Sequence, residues 1–396
     1  MTQRSRVGRY VQQVAGYRAF IPAPLPPDPP LALDRELHGV LVHAAESVAR
    51  LDGVVTTLPD ADLFVAMSVR HEAVLSSQIE GTQSSLDDVL TFEVDPTGGE
   101  LPRDVVEVVN YVRAMNHGIE RLQTLPLSLR LIREVHEVLL QNIRGADRRP
   151  GEFRTTQNWI AGGFVPLEHA VYVPPPPSEL WPALDNLERF LHREPSEHTL
   201  VDCGLAHAQF ETIHPFLDGN GRVGRLLISL LLYQRHLLHR PVLYLSTFLK
   251  ANRAEYYDRL TAIRETGDWE GWLRFFLHGV AVTAEAATAT ARVVVKLAVE
   301  HRTLVHARIA GGNGGRFLEL LFRNPVINAR FVEQRLGVSY ATANRLVTAF
   351  ERIGLLAEVT GGERYRRYRY GSYLHLFEDT TINTALASDA RRPPSD

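Results

Sequence analysis

The stretch from His214 to Arg225, HPFLDGNGRVGR, combines residue types that suit the binding of an anion. Gly219, Asn220 and Gly221 allow positive φ angles and a close approach to a ligand, so that successive amides can point into one concavity. A helix predicted to begin directly after them adds unpaired N-terminal amides and the positive end of its dipole. The stretch is therefore predicted to hold a polyphosphate.

Four charged or titratable side chains in the same stretch could act on the phosphates. Arg222 and Arg225 are one helical turn apart, so their guanidinium groups can reach adjacent phosphates. Asp218 would repel bare phosphate but suits a magnesium ion that bridges phosphate oxygens. His214 ends the preceding helix and can act as a base near the same cavity. Each residue alone usually has a structural role, but the combination indicates an active site.

The composition limits how a nucleotide could be bound. Among 43 Lys and Arg residues only Lys250 and Lys296 are lysines, and neither follows a glycine. This excludes a P-loop and leaves phosphate binding to arginines and backbone amides. The chain of 396 residues is 45% hydrophobic and 22% charged, which is ordinary for a globular protein. The single Cys203 excludes an intramolecular disulfide, and neither a membrane span nor a secretory signal is visible, so we expect a cytoplasmic protein.

Helices are predicted over most of the chain and on both sides of the stretch that binds phosphate. A proline-rich arm, IPAPLPPDPP at 21–30, precedes helical periodicity that begins after Leu31. Residues 155–160 and 170–173 are predicted to form the two strands of a hairpin flap. Further helices are predicted at 60–79, at 103–146 with an interruption near Pro126, and from 178 to 310, the last of them beginning at Ala284.

The C-terminal part differs from the rest in charge and in pattern. Residues 316–370 contain ten arginines and five glutamates, without lysine or aspartate, so their charge is +5 and the remainder sums to -8 from a net -3. Three predicted helices are followed by LLAEVT-GG-ERYRRYRY, which indicates two strands around a Gly-Gly turn. This is the order of a winged helix. From Glu378 onward the tail is polar, and we predict that it is disordered.

The segment at 214–225 resembles the signature of the Fic family, His-x-Phe-x-Asp/Glu-Gly-Asn-Gly-Arg-x-x-Arg, and matches it at every fixed position, including Phe216. The resemblance extends to the proline-rich start, to GEFR and QNWI before the flap, and to YYDRL and WLRFFL at 256–276. It implies a mainly α fold, with a Fic helical core, a short β-hairpin flap and a C-terminal winged helix-turn-helix domain. It also implies a protein adenylyltransferase, which transfers AMP from ATP to a hydroxyl of a target protein.

The resemblance assigns roles to residues of this chain. His214 would deprotonate a Ser, Thr or Tyr hydroxyl of the target, or of the protein itself, and that oxygen would attack the α-phosphate of ATP. Asp218 would position magnesium, and Phe216 would pack in the core. The flap would hold the target segment by strand addition. The nucleotide would be bound by Gly219, Asn220 (through amide and side chain), Gly221, Arg222, Val223, Gly224 and Arg225, with Tyr257 as a contact to the base.

The segment SSQIEG resembles the inhibitory motif of the same family, with Ser76, Glu80 and Gly81 in the matching positions. Ser76 and Glu80 lie on one face of a helix that Gly81 would end. The implied mechanism is that Glu80 forms a bidentate pair with Arg225 and displaces the γ-phosphate of ATP.

These assignments divide the chain into five parts. They are an N-terminal arm and helical region with the inhibitory helix (1–120), the catalytic core (121–283), a connecting helix (284–312), the winged-helix domain (313–377) and the tail (378–396).

Other functions are compatible with parts of the pattern. A di-iron site built on Glu211 and His214 is excluded, because no second Glu-x-x-His is present. The C-terminal domain could make the protein a nucleotide-sensing transcriptional regulator, with Tyr365, Tyr368 and Tyr370 in an arginine-rich wing and the helix at 339–352 in a DNA groove. The same domain could instead bind protein or form a homodimer. Within the family, the site could also remove AMP.

Overall fold

A computed structural model describes residues 6–378, except 57, 59–60, 97–101, 103, 142, 144–147, 162–165, 195, 197 and 363–365. The chain begins with a hairpin of β1 (Arg9–Gln12) and β2 (Arg18–Ile21), which the sequence pattern did not predict. The proline-rich arm follows and lies on the helical body. Its Leu25 amide donates to Asn186 Oδ1 at 2.8 Å, and its Ala23 carbonyl accepts from Gln209 Nε2 at 2.9 Å.

The helical body is built from eleven helices within the described residues. They are α1 (Arg35–Thr56), α2 (Ala61–Ile79), α3 (Leu86–Val94), α4 (Val105–Arg121), α5 (Leu129–Leu139), α6 (Pro177–His192), α7 (Thr199–Ile213), α8 (Asn220–Gln234), α9 (Ser246–Ala251), α10 (Arg253–Thr266) and α11 (Trp269–Arg308). None of the helices in the described ranges is both long and apolar enough to cross a membrane.

The residues between α2 and α3 determine where these two helices end and begin. The predicted helix at 60–79 is α2, and Gly81 follows it with a φ of +104° that only glycine adopts freely. Ser85 begins α3 with a capping box, because its side chain accepts from the Asp88 amide and Asp88 accepts from the Ser85 amide. This capping box fixes the start of α3.

The core of the body surrounds α7 and α8. Every residue of α7 from Leu200 to Ile213 is buried, and α8 is buried from Arg222 to Leu232. The two helices pack against each other, and the loop from His214 to Gly219 joins them. A loop held between two buried helices has little freedom to move, which suits a site that requires fixed geometry.

The flap differs from its prediction. The expected strands at 155–160 and 170–173 are reduced to one antiparallel bridge between Ile160 and Tyr172, and a short 3-10 helix, Leu167–His169, lies between them. Four prolines at 174–177 lack amide donors and prevent the pairing from extending. Residues 162–165, between the two expected strands, lie outside the described residues.

The long helix α11 begins earlier than the connecting helix that was expected from Ala284. Its 40 residues run from Trp269 to Arg308 without a break, so the connecting helix predicted from Ala284 is its second half. No proline interrupts this range, and Asp268 caps its start by accepting from the Gly271 amide at 2.9 Å. α1 packs along α11.

The C-terminal unit, residues 313–377, contains the three predicted helices and the two predicted strands, together with further elements. It contains α12 (Asn313–Arg323), β3 (Val326–Ile327), α13 (Ala329–Leu336), α14 (Tyr340–Arg352), β4 (Ala357–Glu358), β5 (Tyr368–Arg369) and α15 (Gly371–Leu374). The three strands form an antiparallel sheet in the order β3-β5-β4. β3 and α15 were not predicted.

Two tyrosines of the wing do not lie where a DNA contact would need them. Tyr368 and Tyr370 are 5% and 0% exposed, and the Tyr370 hydroxyl lies 2.6 Å from His301 Nδ1 of α11. They are core residues, because β5 is the central strand of the small sheet. Tyr365 and the predicted disordered tail after Glu378 lie outside the described residues.

Candidate active site

His214 stands at the end of α7 in a conformation that needs support. Its φ and ψ are 50° and 61°, in the left-handed region, and its amide donates to the Phe210 carbonyl at 2.9 Å. This conformation costs a non-glycine residue about 1–2 kcal/mol. It therefore has to be held by contacts from elsewhere in the chain.

Three side chains near the base of the flap supply those contacts. Arg154, Asn158 and Tyr172 cap the carbonyls at the end of α7 and in the following loop. Tyr172 Oη donates to the Thr212 carbonyl at 2.6 Å. The Arg154 side chain donates to the carbonyls of Ile213 at 3.4 Å and His214 at 3.0 Å, and its amide donates to the Pro215 carbonyl at 2.9 Å. Asn158 Nδ2 donates to the Phe216 carbonyl at 2.8 Å. The sequence pattern assigned none of the three a role, although Arg154 and Asn158 belong to the GEFR and QNWI segments that carry the resemblance.

The imidazole of His214 is neutral near pH 7. Burial lowers its pKa from 6.5 to about 4, Arg154 lowers it further, and Glu80 opposes the shift. Its Nδ1 is buried without a hydrogen-bond partner among the described residues. A neutral imidazole can accept a proton from a nearby hydroxyl.

The start of α8 forms the predicted cradle for an anion. Gly219 is its N-cap with a φ of 74°, and the first intrahelical bond runs from the Val223 amide to the Gly219 carbonyl at 3.0 Å. The amides of Asn220, Gly221 and Arg222 precede that bond and are the ones left for a ligand. The Gly219 amide is already used, since it donates to Asp218 Oδ1 at 2.6 Å.

The Asn220 side chain has a different place from the one expected. It is 2% exposed, its Oδ1 accepts from the Phe216 amide and its Nδ2 donates to the Phe216 carbonyl, both at 2.8 Å. The side chain closes the loop on itself, and only its backbone amide faces the cradle. Phe216 is buried as predicted, and its ring stacks on His136 at 3.7 Å.

His136 fixes the other side of this loop. Its Nδ1 accepts from the Gly151 amide at 2.9 Å, so the proton is on Nε2, which donates to the Asp218 carbonyl at 3.1 Å. Burial lowers its pKa to about 4, so it is neutral. The sequence pattern did not single out this residue.

Val223 and Gly224 lie in the contact between α7 and α8. Val223 is 2% exposed, and the Gly224 carbonyl is 2.9 Å from His207 Nδ1. A Cβ atom at position 224 would collide with Glu211 Oε1. The glycine is therefore explained by the close approach of the helices, and the geometry assigns neither residue a ligand contact.

Arg222 is held by a carboxylate that the sequence pattern did not indicate. Its Nη1 donates to Glu107 Oε2 of α4 at 3.1 Å, and its Nη2 lies 3.6 Å from Asp218 Oδ1. The guanidinium is buried, and its Nε has no hydrogen-bond partner in the described part of the chain. Arg222 therefore has donor capacity for a ligand beside the cradle.

Arg225 makes the contact with Glu80 that was predicted from the inhibitory motif. Its Nη2 donates to Glu80 Oε1 at 2.6 Å and to the Ser76 carbonyl at 2.9 Å, and its Nε donates to Ser76 Oγ at 2.7 Å. The pair uses one carboxylate oxygen, so it is not bidentate as expected. Ser76 accepts along the edge of the guanidinium formed by Nε and Nη2.

The Glu80 carboxylate occupies the place of an anion. A Cβ atom at Gly221 would collide with Glu80 Oε1, which puts this oxygen at the first turn of α8. Burial would raise the pKa of Glu80, but Arg225 and then Arg222 lower it below its usual value. The group is ionised and bound to the cationic side chain that a phosphate would need.

Two further buried carboxyl groups face the same arginine. Burial raises the pKa of Glu72 on α2 and of Glu211 on α7 to about 7, and Arg225 opposes both shifts. Glu72 accepts from Tyr111 Oη at 3.0 Å and from Ser246 Oγ at 2.6 Å. Glu211 Oε1 has no partner among the described residues.

Tyr257, the expected contact to the base, lies on α10. It is 40% exposed, and its ring lies 5.7 Å below the Arg253 guanidinium. Burial and the nearby Glu80 raise its pKa. Its neighbour Tyr256 is buried, with its hydroxyl 2.9 Å from His207 Nε2.

Two stretches of the chain are similar to known protein families. Residues 39–120 match the family described as Fic/DOC family N-terminal, and residues 126–232 match the Fic/DOC family. Over 156 residues, or 39% of the chain, the sequence is 34% identical to Protein adenylyltransferase Fic of Drosophila grimshawi and 32% identical to that of Drosophila melanogaster. The matched region spans 29% and 28% of those relatives.

The fold is similar to that of a solved structure. A Fic family protein from Desulfovibrio desulfuricans G20 superposes with a TM-score of 0.56 at 21% identity, covering 86% of this chain and 97% of that one. At this identity the similarity describes the fold.

Proposed function

Because the chain belongs to the Fic/DOC family through residues 39–120 and 126–232, we propose that it is a protein adenylyltransferase that uses ATP. The observation that carries the proposal is the position of His214. A neutral imidazole, on a backbone held by Arg154 and Asn158, lies at one end of a loop whose other end presents the first three amides of α8 and Arg222. This arrangement joins a base to a phosphate site.

The reaction would proceed as a single displacement at phosphorus. His214 accepts the proton of a Ser, Thr or Tyr hydroxyl, and the oxygen forms a bond to the α-phosphorus. The bond from that phosphorus to the bridging oxygen breaks, and pyrophosphate leaves with the electron pair. The amides at the start of α8 and the two arginines stabilise the charge on the phosphate oxygens.

Asp218 is the residue that would hold a magnesium ion. Its side chain is 42% exposed, and its Oδ1 accepts from the Gly219 amide and lies 3.6 Å from Arg222 Nη2. The described residues contain no cluster of three or more His, Cys, Asp or Glu suited to a metal. One carboxylate together with substrate phosphates is an ordinary set of ligands for Mg²⁺. When bound, the ion would neutralise charge on the phosphates.

Glu80 restrains this activity in the wild-type chain. Its carboxylate lies between the first turn of α8 and Arg225, where the γ-phosphate would otherwise bind. ATP can then enter only in a pose that leaves the α-phosphorus badly placed for attack. The target segment would pair with the exposed backbone near the Ile160–Tyr172 bridge, and Tyr257 would contact the base.

The proposal is tested by transfer of label from α-labelled ATP to protein in the Glu80→Gly background. His214→Ala should abolish transfer while ATP binding stays nearly unchanged. His239→Ala is the matched control, since this histidine is exposed and pairs with Asp52 far from the loop. Transfer at the parental rate by the His214→Ala protein would refute the assignment of the base.

A second function is favoured by the exposed face of α14. Asn344, Arg345 and Thr348 point outward from one side of this helix, and Arg330 and Arg366 are exposed nearby. Such side chains suit contacts to the backbone and base edges of DNA. Binding of duplex DNA that weakens steeply with added salt would support a regulator, whereas no binding at low salt would leave protein contact or dimerisation.

Removal of AMP by the same site is a separate activity. Incubation of an AMP-modified target with the Glu80→Gly protein, without ATP, should release little AMP if the site favours addition. Rapid release would instead assign the protein to AMP removal.

A further inference from the structure

The inhibitory helix α2 connects the active site to the C-terminal unit. At its first turns, the buried Phe64 packs against the buried Phe377 with ring centroids 6.2 Å apart, and α2 also contacts α12. Just beyond its other end, Glu80 binds Arg225. Phe64 and Glu80 are separated by 16 steps along the chain, which correspond to about 24 Å of helix. The segment formed by α2 and Glu80 therefore contacts both the C-terminal unit and Arg225.

The C-terminal unit also holds the helix that follows. α3 packs against β3, and Arg369 Nε of β5 lies 3.5 Å from Asp87 Oδ1. Arg70 of α2 binds both carboxylate oxygens of Glu93 of α3, with Nε at 3.0 Å from each. This pair joins α2 and α3 into one body, which we call the inhibitory hairpin (residues 61–94).

The catalytic end of the hairpin is held by hydrogen bonds whose geometry is strict. Glu72 accepts from Tyr111 and Ser246, and Ser76 and Glu80 bind Arg225. A small displacement of α2 would lengthen all of these bonds together, because they lie on successive turns of one helix. The other end is held by apolar packing with the C-terminal unit.

We propose that the C-terminal unit sets the position of the inhibitory hairpin, so that a partner which moves this unit separates Glu80 from Arg225. The proposal rests on the proposed function and extends it to regulation. A packed contact has discrete arrangements, and a shift at one end of a rigid helix is transmitted to the other.

The test weakens the contact far from the active site and measures AMP transfer. Phe64→Ala and Phe377→Ala should each raise transfer of α-label at least about fivefold, the lower end of ordinary coupling between sites. Hydrogen exchange at residues 76–81 should become faster in both proteins. In the Glu80→Gly background the same substitutions should have no further effect, because no inhibitory contact is left to release.

One control and one milder variant separate coupling from damage to the C-terminal unit. Phe331→Ala removes a ring of similar burial, 7% against 6% exposed, from α13, where it stacks with Arg335, and should leave transfer unchanged. Asp87→Lys keeps the core intact, places like charge opposite Arg369, and should give a smaller rise.

The outcomes distinguish the two proposals. If the Glu80→Gly protein transfers AMP but Phe64→Ala, Phe377→Ala and Asp87→Lys behave as wild type, the coupling is refuted and the function stands. An equal rise in Phe331→Ala, or a further rise in the Glu80→Gly background, also refutes the coupling. If Glu80→Gly itself transfers no AMP, the proposed function fails.

Discussion

Replacement of Glu80 by glutamine tests the inhibitory contact with the smallest change in shape. The substitution removes the charge of one hydrogen bond, from Arg225 Nη2 to Glu80 Oε1 at 2.6 Å. A hydrogen bond to a charged group contributes about 1.5–3 kcal/mol. Since the Glu80 side chain is 38% exposed, solvent screening places its contribution near the lower value, about 1.5 kcal/mol.

That energy converts into a measurable shift in ATP dependence. A difference of about 1.4 kcal/mol is a factor of ten in affinity, so the γ-phosphate should displace residue 80 about tenfold more easily in Glu80→Gln. The ATP concentration for half-maximal transfer of α-label should fall by about this factor. Ser76 still orients Arg225, so the maximal rate should not fall.

The matched control for this experiment is Glu300→Gln. Glu300 pairs with Lys296 on the exposed side of α11, far from the cradle, and its loss should leave the ATP dependence unchanged. If Glu80→Gln requires as much ATP as the wild type and transfers no faster, the Glu80–Arg225 pair does not limit nucleotide binding and the inhibitory account is refuted.

Three other perturbations probe the parts that support the site. The pKa of His214 is about 4 in the folded protein and about 6.5 in the unfolded chain. The free energy of unfolding of the wild type, relative to that of His214→Ala, should therefore fall by up to about 1.4 kcal/mol per pH unit as the pH decreases from 6.5 to 4. A difference that stays constant with pH would contradict the assigned pKa. Gly224→Ala should lower the free energy of unfolding by about 1–3 kcal/mol in urea titrations, whereas Gly39→Ala, in open space on α1, should raise it by about 0.5–1 kcal/mol; equal effects would refute the close approach of α7 and α8. Arg154→Lys should reduce kcat about a hundredfold with little change in KM for ATP. An unchanged kcat would show that the bonds from Arg154 to the backbone carbonyls do not position His214.

The features that sequence predicted well are those set by neighbours in the chain. The helix ends at Gly81 and Ser85 and the start of α8 after Gly219 depend on residues within one or two turns. The inhibitory contact between Glu80 and Arg225 spans 145 residues, and it was predicted only because the motif resembles one known from a family.

The features that sequence did not predict depend on contacts between distant segments. Glu107 reaches Arg222 across 115 residues, and no local pattern marks it. Arg154 caps α7 from a segment 60 residues away, where an arginine among prolines and aromatic residues has no periodicity to interpret. The Asn220 side chain was expected to face a ligand, but it binds the Phe216 backbone instead. These bonds arise only when the loop closes, so the sequence alone does not indicate them.

The flap and α11 show how composition limits what the chain can form. Alternating residues at 155–160 and 170–173 suggested strands, but the following prolines remove the amide donors that a longer ladder requires. In α11 the alanine-rich stretch after Val280 contains no helix breaker, so the helix continues past the expected boundary at Ala284.

The proposed reaction cleaves ATP at the α-phosphorus and leaves the AMP on protein. The most direct measurement incubates the Glu80→Gly protein with ATP labelled on the α-phosphate and, separately, on the γ-phosphate, and then counts the label bound to protein. The account predicts label from α-labelled ATP alone, together with released pyrophosphate. Label from γ-labelled ATP, or none from either, would contradict it.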